Sequence, residues 1–306
     1  MRLSGFSFAR NAVSLDYPIV ESIKSVLPIV DEFIIALGDS SDNTTDVVRS
    51  IGDKKIKIIE TVWNPGLFVH GAINAEQTNI ALSQCKGDWC IYLQADEVIH
   101  EKYLPVIVEA CKKYLHNKGV EGFLLSYKHF WGDYFKYQKA HNWYRREIRV
   151  VRNGIGVHSW KSAQSFRIHG RKMHTILIPA EVYHYGWVRE PVTMKRKSVA
   201  LDSLHHSKEY IEEKYPGKQK ATPFEYGSLK YLADFKGTHP AVMKDRIAAK
   251  NWTVTENPKV KHKHMKFSIR LLSAIENLLG TRLGEYRNYH LIGKDYSLKR
   301  FIGEEI

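Results

Sequence analysis

The chain has 306 residues, 43% of them hydrophobic, with 7 Trp, 17 Tyr and 12 Phe, enough for one large domain with an appendage or for two modest domains with a real core. A net charge of +13 implies an acidic partner: nucleotide phosphates, nucleic acid or an anionic membrane surface. Three cysteines (Cys85, Cys90, Cys111) exclude a disulfide framework and fit no zinc site, so they read as reduced thiols of a cytosolic protein.

No apolar run approaches a membrane span, and the N-terminus enters a strand with no signal-peptide pattern. Residues 3–9 are predicted as a first strand, ending at Ala9-Arg10-Asn11. A helix follows from about Asp16, because Ile19, Val20, Ile23, Val26 and Leu27 recur at helical spacing; Pro18 suits its first turn and Pro28 ends it. Glu32 to Leu37 is a second buried strand, followed at once by the acidic turn Gly38-Asp39-Ser40-Ser41-Asp42-Asn43-Thr44. A helix with Val47, Val48 and Ile51 on one face leads to a third strand from Ile56 to Thr61. This β-α-β-α-β order is that of a nucleotide-binding α/β half.

After the loop Trp63-Asn64-Pro65-Gly66, a helix is expected over Asn74 to Cys85, with Asn74, Gln77 and Asn79 on its polar side. It feeds the stretch around which the chain is organised. Trp89 to Leu93 is apolar without interruption, as in a strand covered on both faces, and Gln94, Ala95, Asp96 and Glu97 arrive at its carboxyl end. Ligands of open α/β sheets sit there, and carboxylates at that place can hold a hard divalent cation whose shell a nucleotide diphosphate completes. A helix over Lys102 to Tyr114, strands over 122–131 and 146–152, and a Tyr- and Lys-rich loop between them come next. Short β pieces fill 154–185. From Pro191 the chain is charged and helical, through Lys195, Arg196 and Lys197 to an exposed Lys- and Glu-rich stretch at 206–222 and a basic linker at 256–264. A last amphipathic helix, with Met265, Ile269, Leu272, Ile275, Leu279 and Leu283 on one stripe, is expected to pack on the domain.

The order strand–Arg10-Asn11, strand–Asp39 to Thr44, helix with Gln77 and Asn79, strand–Gln94-Ala95-Asp96-Glu97 resembles glycosyltransferase family 2, with its GT-A fold. Within that family the chain is most similar to bacterial enzymes that build lipopolysaccharide core or surface glycans. The resemblance spans roughly residues 3–190. It implies a GT-A-like, mostly parallel α/β sheet flanked by helices over 1–190, holding donor binding and catalysis, and a mostly helical extension over 191–306. It also implies transfer of a sugar from a nucleotide-diphosphate donor to a glycan or lipid-linked acceptor, with inversion at the anomeric carbon.

Two positions depart from the family pattern. Leu37 stands where a nucleoside-binding Asp is usual, leaving Asp39 as the nearest acid, and Gln94 replaces the first acid of Asp-x-Asp. What the resemblance implies for the site is therefore this: Arg10, Asn11, Asp39, Asp42, Gln77, Asn79, Gln94 and Asp96 around the donor, Mn2+ or Mg2+ on Asp96 with His184 as a further ligand, and Glu147, Asp133 or Glu97 as the base. His158 is another base candidate. Arg145, Arg146, Arg149 and Arg152 suit a diphosphate, and Tyr183, Tyr185 and Trp187 suit a sugar ring. Expected partners are the donor and acceptor, with no nucleic acid, and peripheral contact with an anionic membrane through Lys259, Lys261, Lys263 and Lys266. The competing reading is a non-catalytic basic module for nucleotide, RNA or an anionic surface, which would spread Lys and Arg over an open face. A nucleotidyltransferase would want a Gly-rich loop after the first strand, and Phe8-Ala9-Arg10-Asn11-Ala12 has none.

Overall fold

The computed structural model describes residues 1–217 and 222–304, so residues 218–221 of the Lys- and Glu-rich stretch and the last two residues lie outside it. The chain folds around a curled, mostly parallel central sheet with helices on its flanks. The amino-terminal half alternates as expected: β1 (Leu3–Ala9), α1 (Ile19–Val26), β2 (Glu32–Leu37), α2 (Thr44–Arg49), β3 (Ile56–Glu60), α3 (Ala72–Ser83), β4 (Trp89–Tyr92), β5 (Glu97–Ile99) and α4 (Leu104–Lys113). The strands β6 (Gly122–Trp131), β7 (Lys136–Gln138), β8 (Arg146–Arg152), β9 (Val157–Trp160), β10 (Ser165–Ile168) and β11 (Arg171–Trp187) follow. The chain then runs through α5 (Pro191–Ser203), α6 (Lys208–Lys214), β12 (Ala233–Asp234), α7 (Lys244–Ala248), α8 (Phe267–Leu279) and β13 (Tyr289–Lys294).

Strand order along the main path is β3-β2-β1-β4-β8-β6-β11-β10-β9. β1 pairs in parallel with β2 on one side and β4 on the other, with Phe6 opposite both Ile34 and Tyr92. The chain thus leaves β1 toward one edge and returns on its other side, which opens a crevice beyond the carboxyl ends of β1 and β4. The residues of β4 are all buried, as its unbroken apolar sequence requires of a strand covered on both faces. β8 inserts antiparallel between β4 and β6, and the 17-residue β11 runs parallel to β6. The segment expected to hold short β pieces holds two, β9 and β10, followed by the long strand β11. At its far end β13 returns from the C-terminal region to pair with β11. The Tyr- and Lys-rich loop after β6 contains β7, which doubles back on it.

One buried ion pair sets the turn after β4. Arg149 on β8 donates from Nε and Nη2 to the two oxygens of Glu97, each at 2.8 Å, and Tyr127 Oη donates to the same carboxylate at 2.7 Å. Tyr92 and Tyr127 flank the guanidinium at 5.2 and 5.3 Å. Glu97 is thereby committed to holding the chain where Asp96 leaves the sheet. No helix among the described residues is long and apolar enough to cross a membrane.

Candidate active site

A cavity of about 390 Å³ lies beyond the ends of β1 and β4. Phe8, Arg10 and Asn11 from the end of β1 and Gln94 and Asp96 from the end of β4 form its floor. His184 and Trp187 of β11 close one side, Lys197 and Leu201 of α5 another, and Trp63 and Phe68 the mouth. Aromatic walls with a few polar groups converging on one point suit a ligand that carries a ring and charge.

Asp96 is the centre of the charge. It is 6% exposed; one oxygen, Oδ2, accepts from Lys197 Nζ at 2.9 Å, and Oδ1 lies 3.7 Å from His184 Nε2. Burial alone would raise its carboxyl, but the charges of Lys197 and Arg189 outweigh burial and hold it well below the usual carboxylate range. The same surroundings act on Lys197: burial and Arg189 lower its ammonium to about 8 against the pull of Asp96. Lys197 Nζ also donates to Gly186 O at 2.7 Å. Arg189 is fully buried, donates to the carbonyls of Leu15 and Gly186 at 2.7 and 2.6 Å, and keeps Nη2 without a partner among the described residues. One carboxylate thus faces two buried cations, a surplus of positive charge beside the cavity. Gly186 is required at this point because a methyl group there would meet the His184 ring and, at 2.9 Å, Asp96 Oδ2.

A chain of hydrogen bonds decides the state of His184. The carbonyl of Tyr144 lies 2.8 Å from His129 Nε2, so that nitrogen donates, and His129 Nδ1 must accept. His184 Nδ1, 3.0 Å away, donates to it. Burial lowers both imidazoles, which keeps them neutral. His184 Nε2 is left with a lone pair aimed at the Asp96 side of the cavity. Two electron-pair donors on one wall fit a hard divalent cation. Among the described residues no cluster of three His, Cys, Asp or Glu side chains forms, so phosphates and water would have to complete the shell.

The remaining expected residues divide sharply. Arg10 lines the cavity and ties Asp39 to its rim, donating from Nη2 to Asp39 Oδ2 at 3.1 Å, with its guanidinium 5.4 Å from the Trp63 ring. Asn11 adopts a left-handed φ of 53° and accepts from Ser41 N at 2.8 Å, which bends the acidic loop toward β1. Asp42 accepts from Ser14 N and Thr44 N at 2.7 and 3.0 Å, a loop-fastening role. Gln77 is 1% exposed and accepts from Thr61 Oγ1 at 2.6 Å, while Asn79 accepts from Ser159 N at 2.7 Å. Neither lines the cavity; Asn74, one turn earlier on α3, does. Gln77 and Asn79 lie on nearly opposite sides of α3, and what packs against each side decides which amide reaches open space.

Of the three carboxylates expected as base, none lines this cavity. Glu97 is held by Arg149, and Asp133 accepts from Phe135 N at 2.7 Å in the turn after β6. Glu147 on β8 is buried, and burial raises its carboxyl to about 7 against the pull of Arg149, Asn288 and Ser165. Its folded state binds the proton more tightly than the unfolded chain. This contribution to stability is full below about 4.5 and is lost as pH rises to about 7. Replacing Glu147 by Gln is expected to remove roughly 3 kcal/mol of that fall, measured by urea unfolding at both ends of the window.

The arginines expected at a diphosphate separate likewise. Arg152 caps the end of α4, donating to the carbonyls of Leu115 and Tyr114 at 2.9 and 2.8 Å. Arg145 and Arg146 line a second cavity of about 320 Å³ with Lys128, Lys139 and His129. Because His129 bonds His184, the two cavities meet across the histidine pair. Tyr183 and Tyr185 are buried in an aromatic cluster with Phe130, and only Trp187 of that trio reaches the cavity. His158 sits on β9, outside both cavities.

The profile of the family described as Glycosyl transferase family 2 matches residues 17–173. A search of curated proteins returned no match. Among solved structures, Staphylococcus aureus TarS 1-349 is 12% identical, with a TM-score of 0.37 over 70% of this chain and 69% of that one. The mannosyltransferase PcManGT from Pyrobaculum calidifontis, in complex with GDP-Man and Mn2+, is 19% identical, with a TM-score of 0.32 over 40% of this chain and 34% of that one. Glucosyl-3-phosphoglycerate synthase from Mycobacterium tuberculosis, with Mn2+, UDP and phosphoglyceric acid, is 17% identical, with a TM-score of 0.28 over 41% and 42%.

Proposed function

The chain belongs to glycosyl transferase family 2 and is a glycosyltransferase; from that premise we propose that it moves a sugar from a nucleotide-diphosphate donor in the β1–β4 cavity to a glycan or lipid-linked acceptor of bacterial surface polysaccharide. One observation carries this reading: Asp96, at the end of β4, lines the cavity with two cations behind it. Residues 1–190 are the donor-binding and catalytic unit in this reading, and residues 191–306 lend it Lys197.

The acceptor hydroxyl oxygen attacks the anomeric carbon from the face opposite the diphosphate. The carbon–diphosphate bond breaks, its electron pair leaves on the phosphate oxygen, and the hydroxyl proton passes to a carboxylate. Charge grows on the departing diphosphate, so fixed positive groups there favour the transition state over the bound donor. Lys197 supplies such a group, and Arg189 strengthens the field from behind. Asp96 and His184 would hold a divalent cation, which adds Lewis-acid stabilisation of the leaving phosphate. Arg10 and Asn11 of the cavity lining, with Asp39 held by Arg10, suit the nucleoside, and Trp63 and Phe68 are available for stacking. Glu147 is the proposed base, because burial raises its carboxyl to about 7; it lines neither cavity, so in this reading the proton reaches it through intervening groups, whereas Glu97 is locked by Arg149. The second cavity, across the His129–His184 pair, is the proposed acceptor site.

A thermal-shift screen of UDP, GDP, CDP and dTDP, with and without Mn2+, tests the reading. A nucleotide at a hundred times its Kd is expected to stabilise the fold by about 2.7 kcal/mol through mass action. If none of the four raises the melting temperature in either buffer, the donor site is misassigned.

A further inference from the structure

The helix α8 is packed the wrong way round for a soluble domain. Its anchor is polar: the buried Glu276 carboxylate accepts from His141 Nδ1 at 2.7 Å and from Leu283 N at 2.9 Å, and Ser273 Oγ accepts from His141 N at 2.9 Å. Ile269 and Leu272 are only half-buried beside them. The opposite side is apolar and bare. Phe267 is 77% exposed, Leu271 50% and Leu278 87%, with Ile275 and Leu279 exposed between them. Positions i, i+4, i+8 and i+11 lie on one stripe of a helix. A contiguous apolar stripe turned to solvent marks an interaction surface. Cations gather at its amino-terminal end, where Lys259, Lys261, Lys263, Lys266 and Arg270 are all exposed.

We propose that this face docks the protein on an anionic lipid bilayer, with the apolar stripe at the headgroup–acyl boundary and the Lys and Arg side chains on lipid phosphates. Charge selects this occupant. A second copy seated on the stripe about a twofold axis would bring the same basic cluster near itself, whereas lipid phosphates neutralise it. At 13 residues, α8 is too short to span a bilayer and lies in its plane. The surface is also continuous with the second cavity, which Asn277 of α8 and Arg282 just beyond it help to line. A lipid-linked acceptor would then enter from the membrane; that consequence rests on the sugar-transfer reading, while the docking itself does not.

Flotation of the full chain, without donor or acceptor, through vesicles of phosphatidylcholine alone or with phosphatidylglycerol tests the proposal. Association with the anionic vesicles only, weakened by salt, is expected. Combining Leu271→Glu with Leu278→Glu should lower the partition coefficient at least about tenfold, and Lys263→Glu with Lys266→Glu should also lower it. All four side chains are exposed, so the melting temperature should stay unchanged. Failure to bind anionic vesicles, or binding that the Leu271–Leu278 variant retains, would overturn the proposal. So would a wild-type dimer in sedimentation that the same variant breaks. None of these outcomes bears on nucleotide binding, which the thermal-shift screen decides separately.

Discussion

Asp96→Asn is expected to lower kcat/KM for sugar transfer by about a thousandfold while the chain still folds, the size of effect seen when one preorganised electrostatic group is removed from a transition state. The amide keeps the shape of the carboxylate and loses its charge. In the wild type that charge stays ionised in a buried site because Lys197 and Arg189 outweigh the cost of burial. Without it, Lys197 loses the anion that places its ammonium on the cavity wall, and His184 loses its companion donor for a cation. Any strengthening of nucleotide-diphosphate binding by Mn2+ should vanish with it. Steady-state kinetics and the Mn2+-dependent part of the thermal shift are the measurements. Transfer that survives within a few fold would remove Asp96 from the mechanism.

Lys197→Met should act on binding and on stability together. A charge-assisted contact to phosphate is worth about 1.5–3 kcal/mol, so affinity for a nucleoside diphosphate should fall roughly ten- to a hundredfold. Affinity for the bare nucleoside should not change, because the residues proposed to hold it, Arg10, Asn11 and Trp63, come from the turn after β1 and the loop after β3 and not from α5. A purely structural lysine would predict equal losses for both. The variant also strands Asp96 in a buried site, which costs about 3–5 kcal/mol when one partner of a buried pair is removed. Adding Asp96→Asn should recover most of that stability by removing the uncompensated charge, yet restore no activity. Non-additive stability with additive loss of function would mark the pair as a unit that folds one way and works another.

The local signals were strong where one element decides its own fate. The unbroken apolar run of β4, closed by Asp96, can only be a covered strand that ends in a polar turn, and the alternation from β1 to β4 put Arg10, Asp39 and Asp96 each at a strand end; that β1 lies beside β4, so that Arg10 rather than Asp39 lines the cavity with Asp96, belongs to the fold. Family membership followed from the same order. Tertiary structure alone decided which side chains meet. Gln77 and Asn79 sit on the same helix as Asn74, but only Asn74 opens on the cavity, since Thr61 and the β9 backbone use the other two amides. Lys197 read as one cation in a charged helical run, and nothing in its spacing told that α5 folds back over the ends of β1 and β4 to set it on Asp96. That the segment around α8 is an amphipathic helix was legible, but the stripe expected from Met265 to Leu283 shares only Ile275 and Leu279 with the face left bare, and Met265 and Leu283 fall outside the helix. Periodicity records that a helix has two faces; what lies against each is settled by chain segments more than a hundred residues away, such as His141 beneath Glu276.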